Sequence, residues 1–236
     1  MSNYFANDHG NLRFKFKDSE KIQQNFSQAY QDLFVLSMLN GLYNGTYLEI
    51  GSNEPFQLSN TALLEQNYNW KGISIDIEPH MVNLFNDHRK NKAVCINALD
   101  VDYAKFINLH LRNSIEPVEV VDYLQVDCEP PSVTFEILQK ILESDIKFRV
   151  ITFEHESYYA GDDFKLASRI LLEEKGYQLV VSDICNDEYN TAYEDWWVYP
   201  TLVDEQLIKL MSPSHFKEKI ARDYILNSPS VWENNE

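Results

Sequence analysis

Short apolar runs alternate with amphipathic stretches along most of the chain. The runs "TYLEIG" (46–51) and "GISIDI" (72–77) are short and nearly continuous in apolar residues, which is typical of strands buried on both faces of a sheet. The same pattern predicts further strands at 93–99, 121–128, 148–156, 178–184 and 195–200. Helical periodicity lies between them, at 59–69, 79–89, 131–142 and 164–177.

This alternation predicts an α/β fold with a doubly wound, mostly parallel sheet and helices on both faces. The last two strands have no helix between them, so we expect a hairpin that adds one antiparallel strand. Residues 46–203 would form this core. Residues 1–45 would form an N-terminal extension with an amphipathic helix at 27–42, and residues 204–236 a helical C-terminal segment.

Charge and composition narrow the range of partners. The 236 residues include 37 acidic and 20 basic side chains, a net charge of −17 that would repel a nucleic acid. The basic stretches at 13–17 and 88–92 are short and indicate solvated faces. No apolar leader and no stretch of about 18 apolar residues is present, which argues against a membrane partner. Three widely spaced cysteines fit reduced thiols, so we expect a cytoplasmic protein.

Acidic residues follow the predicted strands at the sheet edge where ligands bind in such folds. Glu49 and Gly51 end the first strand. A dinucleotide needs a glycine-rich loop for its pyrophosphate, whereas this loop has one glycine beside a carboxylate. S-adenosylmethionine carries no phosphate, and its ammonium and sulfonium groups would be attracted by Glu49. Gly51 would let that cofactor approach the main chain closely.

Two later strand ends complete the predicted cofactor site. Asp76 ends the second strand and would accept hydrogen bonds from both ribose hydroxyls. Asp100 follows the third strand and would accept from the adenine amine, while Leu99 would pack against the adenine ring.

If the acceptor of the methyl group were a hydroxyl, the transfer would need a base, or a metal ion, beside the acceptor oxygen. His155 lies between Glu154 and Glu156 at the end of the fifth strand and is one candidate base; Asp127 is the other. Alternatively, Asp127, Glu154 and His155 would converge on Mg²⁺ or Mn²⁺, which would hold the alcohol as a partial alkoxide.

Aromatic residues near these acids are candidates for binding an acceptor. Tyr158 belongs to "ESYYAGDDF" (156–164), which is either a substrate loop or a surface turn. Trp196 and Trp197 are adjacent in a strand and therefore face opposite sides. One of the two would pack in the core. The other, which we take to be Trp196, would either stack on a sugar or also pack in the interior.

Six motifs resemble those of FkbM-type methyltransferases and occur in order from Ser27 to Pro200. They are "SQAYQDLFVL", "GTYLEIGSNEPFQLSNTALLE", "WKGISIDIEPHMVNLF", "DYLQVDCEP", "ITFEHESY" and "EDWWVYP". The resemblance implies a class I, Rossmann-like methyltransferase with a seven-stranded sheet. It also implies S-adenosylmethionine as the methyl donor and transfer to a hydroxyl oxygen, in many members that of a sugar.

By position, the resemblance also implies individual contacts. Ser52 joins Glu49 and Gly51 in the first motif, and Asp76, with Glu78 as second choice, is the ribose acid. Gln28 and Asp32 would fold over the cofactor. The family's Asp-x-Glu-Gly is here Asp127-Cys128-Glu129-Pro130, where a proline replaces the glycine. That change implicates Glu129 in acceptor choice.

The sequence therefore predicts an O-methyltransferase of a carbohydrate hydroxyl, for example on a nucleotide-linked sugar used for surface polysaccharide. Two alternatives remain open: methylation of a non-sugar small molecule, and a catalytically silent binding domain of the same fold. A homodimer formed through the terminal segments is also an option.

Overall fold

The computed structural model describes residues 12–185, 191–212 and 220–226. One sheet contains the strands β1 (Thr46–Ile50), β2 (Lys71–Asp76), β3 (Lys92–Cys95), β4 (Val120–Val126), β5 (Lys147–Glu154), β6 (Gln178–Cys185) and β7 (Ala192–Val198). The helices are α1 (Gln31–Met38), α2 (Ala62–Tyr68), α3 (Pro79–His88), α4 (Tyr103–Leu111), α5 (Pro131–Leu142), α6 (Ser157–Ala160), α7 (Asp163–Glu174), α8 (Glu205–Met211) and α9 (Ala221–Ile225). None of the helices within these ranges is long and apolar enough to cross a membrane.

The strands lie in the order β3-β2-β1-β4-β5-β7-β6. Only β7 is antiparallel to its neighbours, and it inserts between β5 and β6. The predicted α/β fold, with a mostly parallel seven-stranded sheet and one antiparallel terminal strand, is confirmed. This order places β1 and β4 side by side at the centre of the sheet, so that the loops after them meet at its carboxyl edge.

The region after β3 differs from the sequence prediction. The strand ends at Cys95, and Ala98–Asp100 form a 3₁₀ turn in which the Asn97 side chain accepts from the Leu99 backbone N–H. Helix α4, which the sequence analysis did not predict, follows at once because Asp102 caps it by accepting from the Lys105 N–H. The strand predicted at 93–99 therefore ends early, because Asn97 and Asp102 cap the turn and the helix that follow it.

Helices cover both faces of the sheet, because successive strand residues point to opposite sides. One face packs against α1, α2, α8 and α9, and the other against α4, α5 and α7. The terminal segments belong to the first cluster: Leu12 pairs with Leu226, and the Phe14 and Tyr224 ring centroids are 5.5 Å apart. Parts of the predicted terminal segments, namely 1–11, 213–219 and 227–236, lie outside the described residues.

Arg89 corrects the prediction that residues 88–92 form a solvated face. Its side chain is fully buried at the end of α3, and its guanidinium nitrogens donate to the Pro55 carbonyl (2.8 Å), Ser59 Oγ (3.1 Å) and Thr61 Oγ1 (3.0 Å). Its Nε lies 3.3 Å from Glu65 Oε2. Arg89 therefore fixes the long loop between β1 and α2, which lies at the carboxyl edge of the sheet.

Candidate functional site

The loop after β1 is held tightly against the ends of β2 and β4. The Gly51 N–H donates to the Ile75 carbonyl (2.9 Å), and the Asp127 N–H donates to the Ile50 carbonyl (3.1 Å). Gly51 has φ +82°, and a Cβ built there would lie 1.8 Å from the Asp127 carbonyl oxygen. Glycine is required at this position because both the backbone angle and the contact with β4 exclude a side chain.

Glu49 is locked into the protein interior below that loop. Its carboxylate accepts from Ser74 Oγ (2.6 Å) and Thr61 Oγ1 (2.9 Å), and the residue is 2% exposed. Burial raises the pKa of Glu49, while the nearby Arg89 guanidinium acts in the opposite direction. The predicted direct contact with a cationic ligand does not fit this geometry, because both oxygens of the buried Glu49 already accept from internal hydroxyls. It instead positions the loop through Thr61.

Asp76 lies at the carboxyl edge, where its half-buried side chain spans two loops. One carboxylate oxygen accepts from the Asn53 N–H (2.8 Å) and the other from the Glu78 N–H (2.9 Å). Each oxygen keeps a free lone pair for a ligand hydroxyl. The next residue, Ile77, is 62% exposed and places an apolar surface beside this carboxylate. Glu78 itself is exposed and lies 3.6 Å from His80.

The residues predicted to contact adenine lie in the 3₁₀ turn after β3. Leu99 is half-buried against the apolar cluster on the α4 side of the sheet, and Asp100 is exposed. Asp100 also lines a groove of about 240 Å³ together with Phe106 and Leu109 of α4. Both residues therefore remain accessible to a ligand.

The N-terminal segment lies against the loop after β1. Ser27 pairs with Leu58, and the Phe26 and Phe56 ring centroids are 6.0 Å apart. Three buried polar side chains in these two segments have polar atoms without a hydrogen-bond partner, namely Asn25, Ser52 and Asn60. Unpaired buried polar atoms are costly, and a polar ligand between the segments would supply the missing partners.

The position of Asp32 argues against the prediction that its side chain contacts the cofactor. Its carboxylate accepts from the Phe26 N–H (2.9 Å), Ser27 Oγ (2.5 Å) and the Leu33 N–H (2.8 Å), and the residue is fully buried. All of these bonds are local, so Asp32 shapes the turn that leads into α1. Gln28, the other predicted contact of this segment, is half-buried in the same turn.

Asp127 and Glu154 form a carboxyl pair at the ends of the neighbouring strands β4 and β5. The two half-buried side chains lie close enough together for each to act on the pKa of the other, so the two groups titrate as a pair. Burial raises the pKa of Asp127, and the charges of Glu156 and Glu129 add to the shift. Burial and the Asp127 charge raise the pKa of Glu154 well above its usual value. Such a pair can take up and release a proton near neutral pH.

Glu194 lies directly opposite Glu154 on β7. It is buried, with one oxygen 3.4 Å from Gln31 Nε2 and the other accepting from Trp196 Nε1. Burial raises the pKa of Glu194 to about 8, so the group is mostly neutral at pH 7. The sequence analysis missed both Gln31 and Glu194; their only signal was that they lie within the quoted motifs.

The position of His155 argues against two predictions: that it is the catalytic base and that it is a metal ligand. It is fully buried; its Nδ1 accepts from the Ser157 N–H (3.2 Å), and its Nε2 lies 3.6 Å from Asp195 Oδ1. Arg169 pairs with that Asp195 carboxylate through two contacts of 2.7 and 2.8 Å. His155 is thus committed to a structural network and cannot reach an acceptor.

The predicted metal ligands do not converge. Within the described part of the chain, the only group of three possible ligands within 4.8 Å of one another is His155, Asp183 and Asp195. Arg169 pairs with both aspartates of that group and Lys165 pairs with Asp183, so the two negative charges are already balanced without a metal cation. Of the predicted set, only Asp127 and Glu154 come together.

Trp196 is also a correction, because it cannot stack on a sugar. It is fully buried, and its ring stacks on Phe34 at a centroid distance of 4.4 Å. Trp197 is buried in the cluster on the opposite face. Tyr158, in contrast, is 59% exposed, and its hydroxyl donates to Glu156 Oε1 (3.0 Å). Glu129 is exposed after β4, so these two predicted acceptor residues remain accessible.

The chain matches no protein-family model and no curated protein sequence. Its fold is similar to that of solved methyltransferases. The METTL16 methyltransferase domain has a TM-score of 0.52 at 12% identity over 80% of this chain and 73% of that one. A human methyltransferase 10 domain containing protein gives 0.49 at 10% identity over 80% and 90%, respectively. An rRNA methylase from Streptococcus thermophilus gives 0.46 at 14% identity over 71% and 92%.

The likeness to the METTL16 domain shows the fold of this chain. The mostly parallel sheet, its single antiparallel strand and the helices around it form the Rossmann-like fold of class I S-adenosylmethionine-dependent methyltransferases.

Proposed function

We propose that this protein is an S-adenosylmethionine-dependent O-methyltransferase that acts on a carbohydrate hydroxyl. The observation that carries the proposal is the pair of neighbouring carboxyl groups, Asp127 and Glu154, at the ends of β4 and β5 on the carboxyl edge of a methyltransferase fold; burial raises the pKa of both. An alcohol is a poor acid, and a carboxylate with a raised pKa beside it is a suitable proton acceptor. The FkbM-type resemblance supports a sugar as the acceptor class.

The residues at this edge fit the proposed cofactor. Asp76 would accept from the ribose hydroxyls, Ile77 and Leu99 would contact adenine, and Asp100 would accept from the adenine amine. The unpartnered side chains of Asn25, Ser52 and Asn60 would face the polar methionine end. When bound, S-adenosylmethionine supplies a methyl group activated by its sulfonium.

Asp127 is the proposed base. As the acceptor oxygen bonds to the methyl carbon and the carbon–sulfur bond breaks, the hydroxyl proton passes to the Asp127 carboxylate. S-adenosylmethionine would supply the methyl group, and its sulfur would keep the electron pair of the broken bond, giving neutral S-adenosylhomocysteine. Glu154, whose pKa burial raises well above its usual value, would keep its proton, so that Asp127 would be the ionised member of the pair. No other titratable group among the predicted catalytic residues has access to the acceptor, because His155 is buried.

Asp127 and Glu154 could also supply two of the ligands of a divalent ion. Two carboxylates at neighbouring strand ends suit Mg²⁺ or Mn²⁺, which often bind proteins through one or two carboxylates and keep several waters. Such an ion would lower the pKa of an acceptor hydroxyl that it contacts.

Asp76→Ala is expected to weaken S-adenosylmethionine binding about 10- to 100-fold, because hydrogen bonds to a charged group contribute about 1.5–3 kcal/mol. Calorimetry gives the dissociation constant, and circular dichroism checks that the variant is folded. Glu78→Ala is the matched control, since Glu78 is exposed two residues away. If only the Glu78 variant loses affinity, the ribose contact belongs to Glu78.

The test of the function itself uses wild-type protein. Saturable heat on titration with S-adenosylmethionine is expected, and its absence would indicate a catalytically silent domain. A panel of sugars, nucleotide-linked sugars and non-sugar alcohols is then incubated with the cofactor, with Mg²⁺ or with a chelator, and analysed by mass spectrometry. We expect one added methylene unit on a sugar; methylation confined to the non-sugar alcohols would refute the carbohydrate assignment.

A further inference from the structure

Glu156 carries an unused carboxylate oxygen in a buried position. The residue is 6% exposed, and its Oε1 accepts from the Tyr158 hydroxyl (3.0 Å) while its Oε2 has no hydrogen-bond partner. Its backbone is fixed immediately after β5, where the Glu156 N–H donates to the Tyr193 carbonyl (3.0 Å). A carboxylate oxygen that is buried without a donor is costly, so a ligand that supplies N–H donors here would bind favourably.

Acidic groups predominate around Glu156. Burial raises its pKa and the charge of Glu129 adds to the shift, while the Tyr158 hydroxyl and the adjacent His155 oppose it. The charge of Glu156 acts in turn on Asp127, Glu154 and Tyr158. None of these four carboxyl groups forms an ion pair with a lysine or arginine in the described ranges. Arg149, seven residues before Glu156, pairs with Asp122, and the two basic residues of α7, Lys165 and Arg169, pair with aspartates elsewhere. A phosphate group would be repelled, and a cation would be attracted.

Exposed aromatic rings stand beside this carboxylate. Tyr158 and Tyr159 lie on the single turn of α6 and are 59% and 74% exposed. A carboxylate together with tyrosine rings is a chemical combination that suits a protonated amine. The amine donates charge-assisted hydrogen bonds to the carboxylate, and its charge is attracted by the face of a ring.

We propose that the acceptor carries a protonated amine near the methylated hydroxyl, as an amino sugar does, and that Glu156 binds this amine with Tyr158 beside it. This inference rests on the proposed function and specifies its substrate class. It disfavours acceptors that place a phosphate close to the reacting hydroxyl, including sugar phosphates. Glu156 acts here as a specificity residue that touches the acceptor but takes no part in the proton transfer.

The test compares glucosamine, N-acetylglucosamine and glucose 1-phosphate as probes for wild-type protein and for Glu156→Gln. Wild-type kcat/KM is expected to be about 10- to 100-fold higher for the free amine than for the acetylated or phosphorylated sugar, the range given by one charge-assisted hydrogen bond. Glu156→Gln should lose this preference mainly through KM, and its affinity for S-adenosylmethionine should not change. Glu173→Gln, on α7, is the matched control.

The outcomes separate the two proposals. Equal kcat/KM for the amine and its acetylated form in wild-type protein, a comparison that needs no variant, would overturn the amine inference and leave sugar methylation standing. A preference that persists in Glu156→Gln would show that another group binds the amine. Cofactor binding without methylation of any sugar would overturn both proposals.

Discussion

Asp127→Asn is expected to lower the turnover of methyl transfer by about 10²- to 10⁴-fold, the contribution typical of a positioned general base. Asparagine has nearly the same shape as aspartate but cannot accept the acceptor proton. Turnover should therefore fall while the affinity for S-adenosylmethionine stays within a few-fold of wild type. Both quantities are measured on the same preparation, by a methyl-transfer assay and by calorimetry.

The pH dependence gives a second readout of the same residue. Because burial raises the pKa of Asp127, the carboxylate becomes protonated at a higher pH than an ordinary aspartate does. Wild-type turnover should fall as the pH is lowered through that raised pKa, and Asp127→Asn should lack this limb. Glu129→Gln, two residues away and exposed, serves as the control and should keep it. Near-normal turnover of Asp127→Asn would mean that the base lies elsewhere.

Arg89→Met is expected to lower the free energy of unfolding by about 3–5 kcal/mol, the usual cost of removing one partner of a buried ion pair. Methionine keeps part of the apolar stem but removes the charge opposite Glu65 and the bonds to Pro55, Ser59 and Thr61. Urea unfolding followed by fluorescence measures the change.

Lys90→Met is the matched control for this substitution. Lys90 is the next residue, and its exposed ammonium contacts Asn69. Replacement should change stability by about 0.5 kcal/mol or less, as is usual for surface positions. A loss below about 1 kcal/mol for Arg89→Met would show that the network around Glu49 and Glu65 does not depend on the guanidinium.

The acidic residues near the edge of the sheet point to opposite faces and differ in their surroundings. Glu154 and Glu194 point to the face covered by α1, where Gln31 reaches Glu194. Asp195 points to the face covered by α7, where Arg169 pairs with it. Although burial acts to raise it, the hydrogen bonds from Arg169 and the nearby His155 ring hold the pKa of Asp195 below its usual value. Two adjacent carboxyl groups thus differ: Asp195 stays ionised, and Glu194 is mostly neutral at pH 7.

The sequence by itself determined the elements of the core and the edge at which the site lies. Apolar runs and helical periodicity are local properties, so they predicted the seven strands, the final hairpin and the acids at the strand ends. They also singled out Gly51, Asp76 and Asp127, whose positions follow directly from the ends of β1, β2 and β4.

Only the tertiary structure decided which of these side chains face a ligand. Four side chains have suitable chemistry in the sequence but are buried against partners inside the protein, namely Glu49, Asp32, His155 and Trp196. The structural roles of Arg89 and Arg169 were not predicted. The partners of Arg89 lie 24 to 42 residues away and those of Arg169 lie 14 and 26 residues away, and they meet only through packing. Side-chain direction at the end of a strand depends on register and on the helices packed above it, and neither is a property of a local pattern.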